Sequence, residues 1–467
     1  MTDQMSVIQR PDPASFRDPS GQVFVGDDYV CRTIDKSFIK VWSLVKESGF
    51  LSRAAEKKLL LEHEDIPPLG NSAASIKAVR LPFISYPYEW SFSQLKDAAL
   101  LTLELLKCSE SYGLMLKDAT AYNVQFEGVR PVFIDHLSFE ELEPGRPWVA
   151  YLQFCQHFLG PLALMHYCGH DCGRFSEFWI NGIPLEVSSS LLPARTWLSP
   201  WLLIHIHLHR RMQKKHQDAR KSAQAAKNIR LDPKAIQKLA ESLAAAVEAL
   251  SPPSFPTEWG DYYNDTNYST EGNLDKSRIV EESARVHGGG LALDLGANTG
   301  MFSRLVSPYF RQVIAADIDR LAVDIHYRHL KKNGPDNILP LVLDLSNPSP
   351  PLGWGEEERA SFSGRCHMDF MTALALIHHL VFTAGIPMYK IAEYFSKLLR
   401  PGGVLLLEFV PLEDSQVQRL LAARSNVFPD YNLQGCLDAF KGRFSLISRH
   451  EIKDSLRTML VLERNDN

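Results

Sequence analysis

The chain has 467 residues, of which 45% are hydrophobic and 22% are charged, and its formal net charge is −5 at pH 7. This length predicts two or three domains, and the negative net charge disfavours nucleic acid as a partner. No apolar run is long enough to span a membrane, and seven scattered cysteines indicate reduced thiols, so we expect a cytoplasmic protein without a membrane partner.

The first segment, residues 1–85, is predicted to be a small α+β region. Two apolar stretches, Gln22–Val25 and Tyr29–Ile34, flank a Gly-Asp-Asp turn, which is typical of a β-hairpin. Apolar residues at helical spacing predict a helix over Phe38–Phe50. These apolar positions are most simply core residues, and they do not indicate any chemistry.

The second segment, residues 86–250, is predicted to be mainly helical but carries a motif that could bear chemistry. Asp118 and Asn123 form a D-x-x-x-x-N pattern, and Asp135 follows an apolar stretch. This resembles the catalytic loop and metal-binding strand of protein-kinase-like phosphotransferases, which implies one aspartate to orient a hydroxyl and an Asn–Asp pair for magnesium.

The kinase-like motif departs from its pattern in several places. Leu116 stands where a histidine is usual, His136 and Leu137 replace Phe-Gly, and no glycine-rich loop is found upstream. The resemblance therefore favours a kinase-like scaffold over a working kinase. An unrelated α+β domain, in which these polar residues form turns, is an equal alternative.

The end of this segment combines an apolar and a basic stretch. Trp197–Leu208 is predicted to be a buried helix, and His209–Arg230 carries eight Lys and Arg residues. A basic helix could meet nucleic acid or an acidic lipid surface, but without interleaved aromatic residues a solvated face is preferred. Ser251–Pro256 is the clearest linker, and it separates this segment from the third domain, residues 257–467.

The third domain is organised around a strand, a glycine turn and a second strand. An apolar run reaches Asp294, Gly296 and Gly300 bracket a tight turn, and Asp317 ends a second apolar run. Glycines let the backbone turn sharply, and the spacing suits an acid that grips a ribose. The dinucleotide pattern G-x-G-x-x-G is not met because Asn298 stands between the glycines, which suits a nucleoside without a pyrophosphate.

These motifs resemble class I S-adenosylmethionine (SAM)-dependent methyltransferases. The resemblance implies an α/β fold with a Rossmann-like, seven-stranded methyltransferase domain, preceded here by the α+β or kinase-like N-terminal half. It implies SAM as the cofactor, held by the residues of the glycine turn and by the acids that follow it: Asp294, Gly296, Asn298, Gly300, Asp317 and Asp344. A Rossmann-like domain for NAD, or one without a ligand, is the alternative interpretation.

The later motifs bear on the acceptor of the methyl group. The stretch Ala373–Leu380, read ALALIHHL, resembles small-molecule and RNA-modifying branches of the family, and the Asn/Asp-Pro-Pro-Tyr signature of enzymes that methylate base amines is absent. His378 could accept a hydroxyl proton as a general base, because a neutral imidazole titrates near working pH. The alternative is that His378 only caps a helix or lines the cofactor site. No residue set is assigned to a metal.

The whole chain resembles rhizobial host-specific nodulation proteins that are methyltransferase-like. This resemblance implies O-methylation of a sugar, an oligosaccharide such as a nodulation signal, or another small metabolite. Two alternatives are an RNA methyltransferase that uses the basic helix, and a bifunctional or regulatory protein with an ATP-binding kinase-like domain. The oligomeric state is not determined by the sequence.

Overall fold

The computed structural model describes residues 11–215, 234–253, 268–422 and 428–466. The chain divides into two compact units, of which unit 1 comprises Met1–Phe255 together with Pro351–Arg359, and unit 2 comprises Pro256–Pro350 and Ala360–Asn467. The division into residues 1–85, 86–250 and 257–467 stays a prediction from sequence.

Unit 1 begins with an antiparallel sheet in the order β1-β2-β4-β3, followed by helices and two small hairpin-like sheets, β5-β8 and β6-β7. The predicted hairpin is confirmed, since Val23 pairs with Arg32 and Val25 with Val30. The strands are β1 (Val23–Val25), β2 (Tyr29–Ile34), β3 (His63–Ile66), β4 (Ala74–Val79), β5 (Leu114–Leu116), β6 (Val124–Glu127), β7 (Arg130–Phe133) and β8 (Phe139–Glu141).

The long helix α3 is the centre of the unit 1 core, and one of its faces is buried along its whole length. Ser91 caps its N-terminus, because Ser91 Oγ accepts a hydrogen bond from the backbone amide of Gln94, and the backbone amide of Ser91 donates to Gln94 Oε1. The helices are α1 (Ile39–Glu47), α2 (Phe50–Glu56), α3 (Phe92–Glu110), α4 (Tyr151–Phe154), α5 (Gly160–Cys168), α6 (Phe175–Phe178), α7 (Leu185–Leu191), α8 (Pro200–Leu202), α9 (His209–Lys215) and α10 (Ala235–Glu248).

The prediction of a buried helix over Trp197–Leu208 is wrong for its outer face. A π-helical segment, Leu203–Leu208, joins α8 to α9 into one continuous helix. His205 and His207 are buried, whereas Ile204 and Leu208 are exposed. The mostly apolar sequence does not reveal which side of the helix faces the core. The two histidines within it face the core because they hydrogen-bond to buried partners.

A short segment from the second half of the sequence folds into unit 1. Leu352 and Arg359 form an isolated antiparallel bridge, and Arg17 donates two hydrogen bonds to Glu358 Oε1, at 2.9 and 2.6 Å. The Arg359 guanidinium lies 4.2 Å from the centre of the Tyr122 ring. A Pro- and Gly-rich segment of this kind carries no periodic pattern from which these contacts could be predicted.

Unit 2 is an α/β domain. Its described residues form a seven-stranded sheet in the order β11-β10-β9-β12-β13-β15-β14, in which β15 pairs antiparallel with β13 and β14 and the other pairs are parallel. The strands are β9 (Gly289–Leu295), β10 (Phe310–Asp317), β11 (Ile338–Val342), β12 (Met368–Ala373), β13 (Leu399–Phe409), β14 (Phe444–Glu451) and β15 (Thr458–Arg464).

Helices connect the parallel strands and pack against the sheet. They are α11 (Thr270–Val286), α12 (Met301–Val306), α13 (Arg320–Asn333), α14 (Phe362–Arg365), α15 (Ile377–Phe382), α16 (Met388–Leu398), α17 (Ser415–Leu421) and α18 (Leu433–Phe440). The strand order reverses direction between β9 and β12, and open α/β sheets bind ligands at the carboxyl edge beside such a switch point. The turn after β9 lies at this point.

In the described part of the chain, no helix combines the length and the apolar character that crossing a bilayer requires.

Candidate functional site

The glycine turn after β9 is held by backbone hydrogen bonds to the neighbouring strand. The amides of Gly296 and Ala297 donate to the Ala316 carbonyl oxygen at 2.9 and 3.1 Å, and the Gly300 amide donates to the Ala297 carbonyl at 2.8 Å. Gly296 and Gly300 have φ of +72° and +78°, where a side chain would be strained. The turn therefore needs glycine at both positions.

Asp317 links this turn to the end of β10. Its Oδ2 accepts a hydrogen bond from the Asn298 amide at 2.7 Å, and its Oδ1 accepts one from the Asp319 amide at 2.8 Å. Burial raises the pKa of the Asp317 carboxyl to about 6, although both amides act to lower it. In the free protein, the Asp317 carboxyl is therefore increasingly protonated as the pH falls below about 6. A further hydrogen-bond donor that reaches this carboxyl would favour its ionised form.

Asp319 is a second carboxylate beside Asp317 that the sequence analysis did not single out. Its Oδ1 caps α13 by accepting from the amides of Leu321 and Ala322. Its Oδ2 is buried and has no hydrogen-bond partner among the described residues. An Asp-x-Asp pattern at the end of a strand was the available signal, because the first acid closes the strand and the second caps the next helix.

His326 forms the floor beneath Gly300. A Cβ built on Gly300 would lie 1.9 and 2.0 Å from Cε1 and Nε2 of the His326 ring. Burial lowers the pKa of His326 to about 3, so its ring is neutral at working pH. The close approach of this ring is a second reason, besides φ, for a glycine at position 300.

Asp294 faces the interior of the domain. Its carboxylate oxygens accept hydrogen bonds from Ser303 Oγ and Thr372 Oγ, both at 2.6 Å, and the residue is buried. Burial raises the pKa of Asp294, and the two hydroxyl donors oppose that shift. Asp294 therefore fixes α12 and β12 relative to the glycine turn.

Asp344 lies just beyond β11 and is partly exposed. Its Oδ1 accepts hydrogen bonds from the Ser346 amide at 2.9 Å and from Ser346 Oγ at 2.6 Å. This places a carboxylate at the carboxyl edge of the sheet, on the same edge as Asp317. The two acids end neighbouring parallel strands.

His378 stands near the start of α15, after β12. The residue is buried, its ring centre lies 4.2 Å from that of His379, and its Nδ1 has no hydrogen-bond partner among the described residues. Burial lowers its pKa well below the usual value, with His379 and Arg457 as further causes. The ring is therefore neutral at working pH, and its lowered pKa makes it a weaker proton acceptor than the ordinary imidazole expected from the sequence. The Leu376 side chain, two residues earlier, approaches Gly296, so this loop borders the glycine turn.

A buried polar cluster, which we call the Arg457 cluster, lies at the carboxyl end of β13. It consists of Tyr268, Lys276, Glu408, Asp414 and Arg457. Lys276 Nζ lies 2.7 Å from Glu408 Oε2, Arg457 Nη1 lies 3.3 Å from Glu408 Oε1, and Arg457 Nε lies 2.8 Å from Asp414 Oδ2. Tyr268 donates to Glu408 and accepts from Arg457. The cluster connects the first turns of α11 with the carboxyl end of β13 and with the start of β15.

The charges in the Arg457 cluster balance. Burial acts to raise the pKa of Glu408, but the charges of Lys276 and Arg457 outweigh it and the pKa is lowered, so Glu408 stays ionised. Lys276 also stacks on the Phe302 ring, with Nζ 4.8 Å from its centre. Since Phe302 belongs to α12, the cluster reaches the helix that follows the glycine turn.

In unit 1, the three residues of the kinase-like motif lie close together but are held by protein partners. Asp118 Oδ1 accepts a hydrogen bond from Gln153 at 2.7 Å, and Asp135 Oδ1 pairs with Arg32 at 2.5 Å. Asn123 acts to lower the pKa of Asp118 through a hydrogen bond, whereas burial and the Asp135 charge raise it. Arg32 thus supplies a cation beside Asp135.

Within the described residues, no group of three or more His, Cys, Asp or Glu side chains is arranged to hold a metal ion. The aromatic residues at 259–263 lie outside the described residues. So do residues 216–230, which are the larger part of the basic stretch His209–Arg230.

Comparison with known proteins identifies the family of this chain. No family model matches it. The nodulation protein NoeA of Rhizobium meliloti (strain 1021) is 34% identical over 479 residues, an alignment that spans 100% of this chain and 99% of NoeA. The chain belongs to the NoeA family of nodulation proteins. For this NoeA-family protein, the predicted resemblance to nodulation proteins is confirmed, while the kinase-like N-terminal half finds no support.

Solved structures similar to this NoeA-family protein include methyltransferases. The N-methyltransferase NodS from Bradyrhizobium japonicum WM9 is 12% identical, with a TM-score of 0.33 over 42% of this chain and 99% of NodS. Its complex with S-adenosyl-L-homocysteine is 13% identical, with a TM-score of 0.34 over 45% of this chain and 94% of NodS. A SAM-dependent methyltransferase from Aquifex aeolicus is 15% identical, with a TM-score of 0.33 over 44% of this chain and 98% of its own. At these low TM-scores, the likeness does not by itself establish the fold. The α/β fold of unit 2 follows from its own strand order.

Proposed function

We propose that this protein is a SAM-dependent methyltransferase whose cofactor site is the carboxyl edge of β9, β10 and β11. The observation that carries the proposal is the link between Asp317 and the Asn298 amide, which joins a strand-terminal acid to the glycine turn at the switch point of the sheet. The residues fit the cofactor, because a buried carboxylate oxygen of Asp319, next to Asp317 at the end of β10, has no hydrogen-bond partner among the described residues.

In this proposal each residue of the site has a defined part. Asp317 accepts hydrogen bonds from the ribose hydroxyls, and Asp344 faces the adenine. Gly296, Asn298 and Gly300 form the turn that holds the methionine end, while Asp294 keeps that turn in place from inside. SAM supplies an electrophilic methyl group, and the protein contributes mainly by holding it in line with the acceptor, which is worth roughly 7–11 kcal/mol in favourable cases.

The proposed acceptor is a hydroxyl of a sugar, an oligosaccharide such as a nodulation signal, or another small metabolite. Two observations support an uncharged acceptor. The cations and carboxylates of the Arg457 cluster cancel, so this part of the edge offers no net charge, and His378 is a neutral imidazole whose Nδ1 has no hydrogen-bond partner among the described residues. His378 would take the hydroxyl proton as the new O–C bond forms.

Replacing Asp317 with asparagine is expected to weaken SAM binding by about tenfold to a hundredfold, because hydrogen bonds to a charged group contribute about 1.5–3 kcal/mol. Isothermal titration with SAM and with S-adenosyl-L-homocysteine measures the change. Asp336→Asn, at an exposed position beyond α13, is the matched control and should bind as the unaltered protein does. Equal affinity for Asp317→Asn and the control would refute the site.

The affinity for the cofactor is expected to depend on pH through Asp317. Its pKa is raised to about 6 in the free protein, and the ribose hydroxyls require the ionised carboxylate as acceptor. Binding should therefore be constant above about pH 7 and should weaken by up to about tenfold for each pH unit below 6. Titrations across this range with the Asp317→Asn variant as reference should show no such slope for the variant.

His378→Gln is expected to leave SAM affinity within about twofold but to slow methyl transfer by about 10²–10⁴, the usual contribution of a general base. The acceptor is first found by supplying labelled SAM and the purified protein to cell extract and separating glycan, RNA and small-molecule fractions. His379→Gln is the neighbouring control. Comparable small losses in both variants would remove the base role, and label in RNA would favour the alternative RNA methyltransferase.

A further inference from the structure

The helical hairpin over residues 194–215 of unit 1 exposes aliphatic side chains that a folded core would normally cover. Leu198 is 87% exposed, Met212 60%, Ile204 49% and Leu208 38%. Ile204, Leu208 and Met212 recur every four residues along one continuous helix, Pro200–Lys215, so they form a line on its outer side. We call Leu198, Ile204, Leu208 and Met212 the Ile204 stripe.

The opposite side of the same helix is fixed in unit 1 by hydrogen bonds. His205 Nδ1 lies 2.7 Å from the Tyr151 hydroxyl and its Nε2 lies 2.8 Å from Ser242 Oγ. His207 Nδ1 lies 2.9 Å from Ser189 Oγ, and its Nε2 the same distance from Thr196 Oγ1. These bonds use every ring nitrogen of both histidines, so the helix cannot rotate to bury the Ile204 stripe without leaving buried polar atoms unpaired.

The sequence around the stripe is basic. From Val187 to Gln217 it has no Asp or Glu and contains five Lys and Arg residues, one of which, Arg210, pairs with Glu186 at 3.6 Å. Arg211 is exposed next to Met212, and its guanidinium lies 4.8 Å from the centre of the Trp197 ring, which itself stacks on His207. Aliphatic, tryptophan and arginine side chains thus lie together on one helical hairpin.

We propose that the Ile204 stripe is a docking surface for an anionic lipid membrane. An amphipathic helix with apolar residues on one side and basic residues beside them lies in the interface of a bilayer, where the apolar side chains enter the acyl boundary. Lys and Arg side chains are attracted to an anionic surface, and tryptophan side chains favour the headgroup region. The protein attaches to the surface of the membrane and does not span it.

Other occupants fit the observations less well. RNA would use the arginines, but the exposed aliphatic side chains cannot stack on bases or bind phosphates. A second copy of this chain would bring the same basic stretch against itself, so like charges would face each other across the contact. An anionic bilayer satisfies both the apolar line and the charge beside it.

The test is sedimentation of the full-length protein with vesicles of phosphatidylcholine alone and of phosphatidylcholine mixed with phosphatidylglycerol. The expected result is partition onto the mixed vesicles, with little onto phosphatidylcholine and a decrease as salt is added. The double variant Ile204→Ser, Met212→Ser is expected to lose at least about tenfold in partition, since it removes apolar side chains that the acyl boundary would otherwise bury. Arg211→Glu should also weaken it severalfold.

A matched control uses two exposed apolar residues elsewhere. Leu446 and Ile447 lie on β14 and are 48% and 47% exposed, and their double replacement by serine should leave the partition unchanged. Circular dichroism shows that all variants keep their fold. The proposal is overturned if neither vesicle binds, if the control loses as much as the stripe variant, or if the stripe substitutions only dissolve a dimer. The proposal is also overturned if the protein does not bind vesicles and the stripe substitutions instead weaken its binding to single-stranded RNA.

Discussion

Replacing Gly300 with alanine is expected to destabilise unit 2 by about 2–6 kcal/mol, which is a large part of the stability of an ordinary domain. Backbone strain at a positive φ contributes about 1–3 kcal/mol, and the overlap of the new Cβ with the buried His326 ring contributes about 1–3 kcal/mol more. Chemical denaturation followed by circular dichroism measures the free energy of unfolding.

Two further variants separate these contributions. Gly385 has φ of +71° and no atom within 4 Å of a built Cβ, so Gly385→Ala should show the backbone cost alone. Adding His326→Ala to Gly300→Ala makes room for the methyl group, so the double variant should lose less free energy of unfolding than the sum of the two single changes. A Gly300→Ala variant as stable as Gly385→Ala would contradict the close contact with His326.

Arg457→Met is expected to cost about 3–5 kcal/mol, because removing one partner of a buried ion pair leaves an uncompensated charge. Arg457 is buried, and its guanidinium bonds Asp414 and Glu408, which are buried as well. Two carboxylates would then share Lys276 as the remaining cation of the cluster. The melting temperature and the denaturant midpoint should both fall.

The sign of the charge effect can be checked with a second replacement. Arg457→Met combined with Asp414→Asn removes one of the stranded charges and should be more stable than Arg457→Met alone. Lys390→Met, which breaks an exposed pair with Glu393, should change stability by at most about 1 kcal/mol. If Arg457→Met is as mild as Lys390→Met, the cluster is not a stabilising element of unit 2.

The strand and turn around Asp294–Asp317 could be predicted from the sequence, because the information there is local. A short apolar run, glycines at fixed spacing and an acid at the end of the next run have few other structural solutions. The apolar run that reaches Asp294 and the one that ends at Asp317 are both strands, β9 and β10. Gly300 was assigned for its backbone, whereas its second constraint, the His326 ring, depends on packing.

The Arg457 cluster could not be predicted, because its members are distant in sequence. Lys276 looks like an ordinary helical lysine, Glu408 like the end of a strand, and Arg457 like a residue of a closing hairpin. Only the antiparallel pairing of β13 with β15 and the docking of α11 bring them together. Local patterns carry no signal for such a charge network.

In unit 1 the sequence motif correctly identifies residues that lie close together, but it does not predict the partners that surround them. Asp118 and Asp135 are adjacent, as the spaced motif requires, but Arg32 comes from a strand about a hundred residues earlier and occupies Asp135. The motif describes the acids and not the cation beside them. The exposure of Ile204 could not be predicted either, because the orientation of its helix depends on the hydrogen bonds that His205 and His207 make.

The segment Pro351–Arg359 has a consequence for any attempt to divide the protein. A cut at the linker after Phe255 would release a C-terminal fragment that still carries Glu358 and Arg359 but has lost Arg17 and Tyr122, and would leave Trp354 on an unsupported loop. The N-terminal fragment would lack one of its own hairpins. The two halves of the gene are thus not interchangeable cassettes, and recombination between relatives would have to exchange both pieces of unit 1 together.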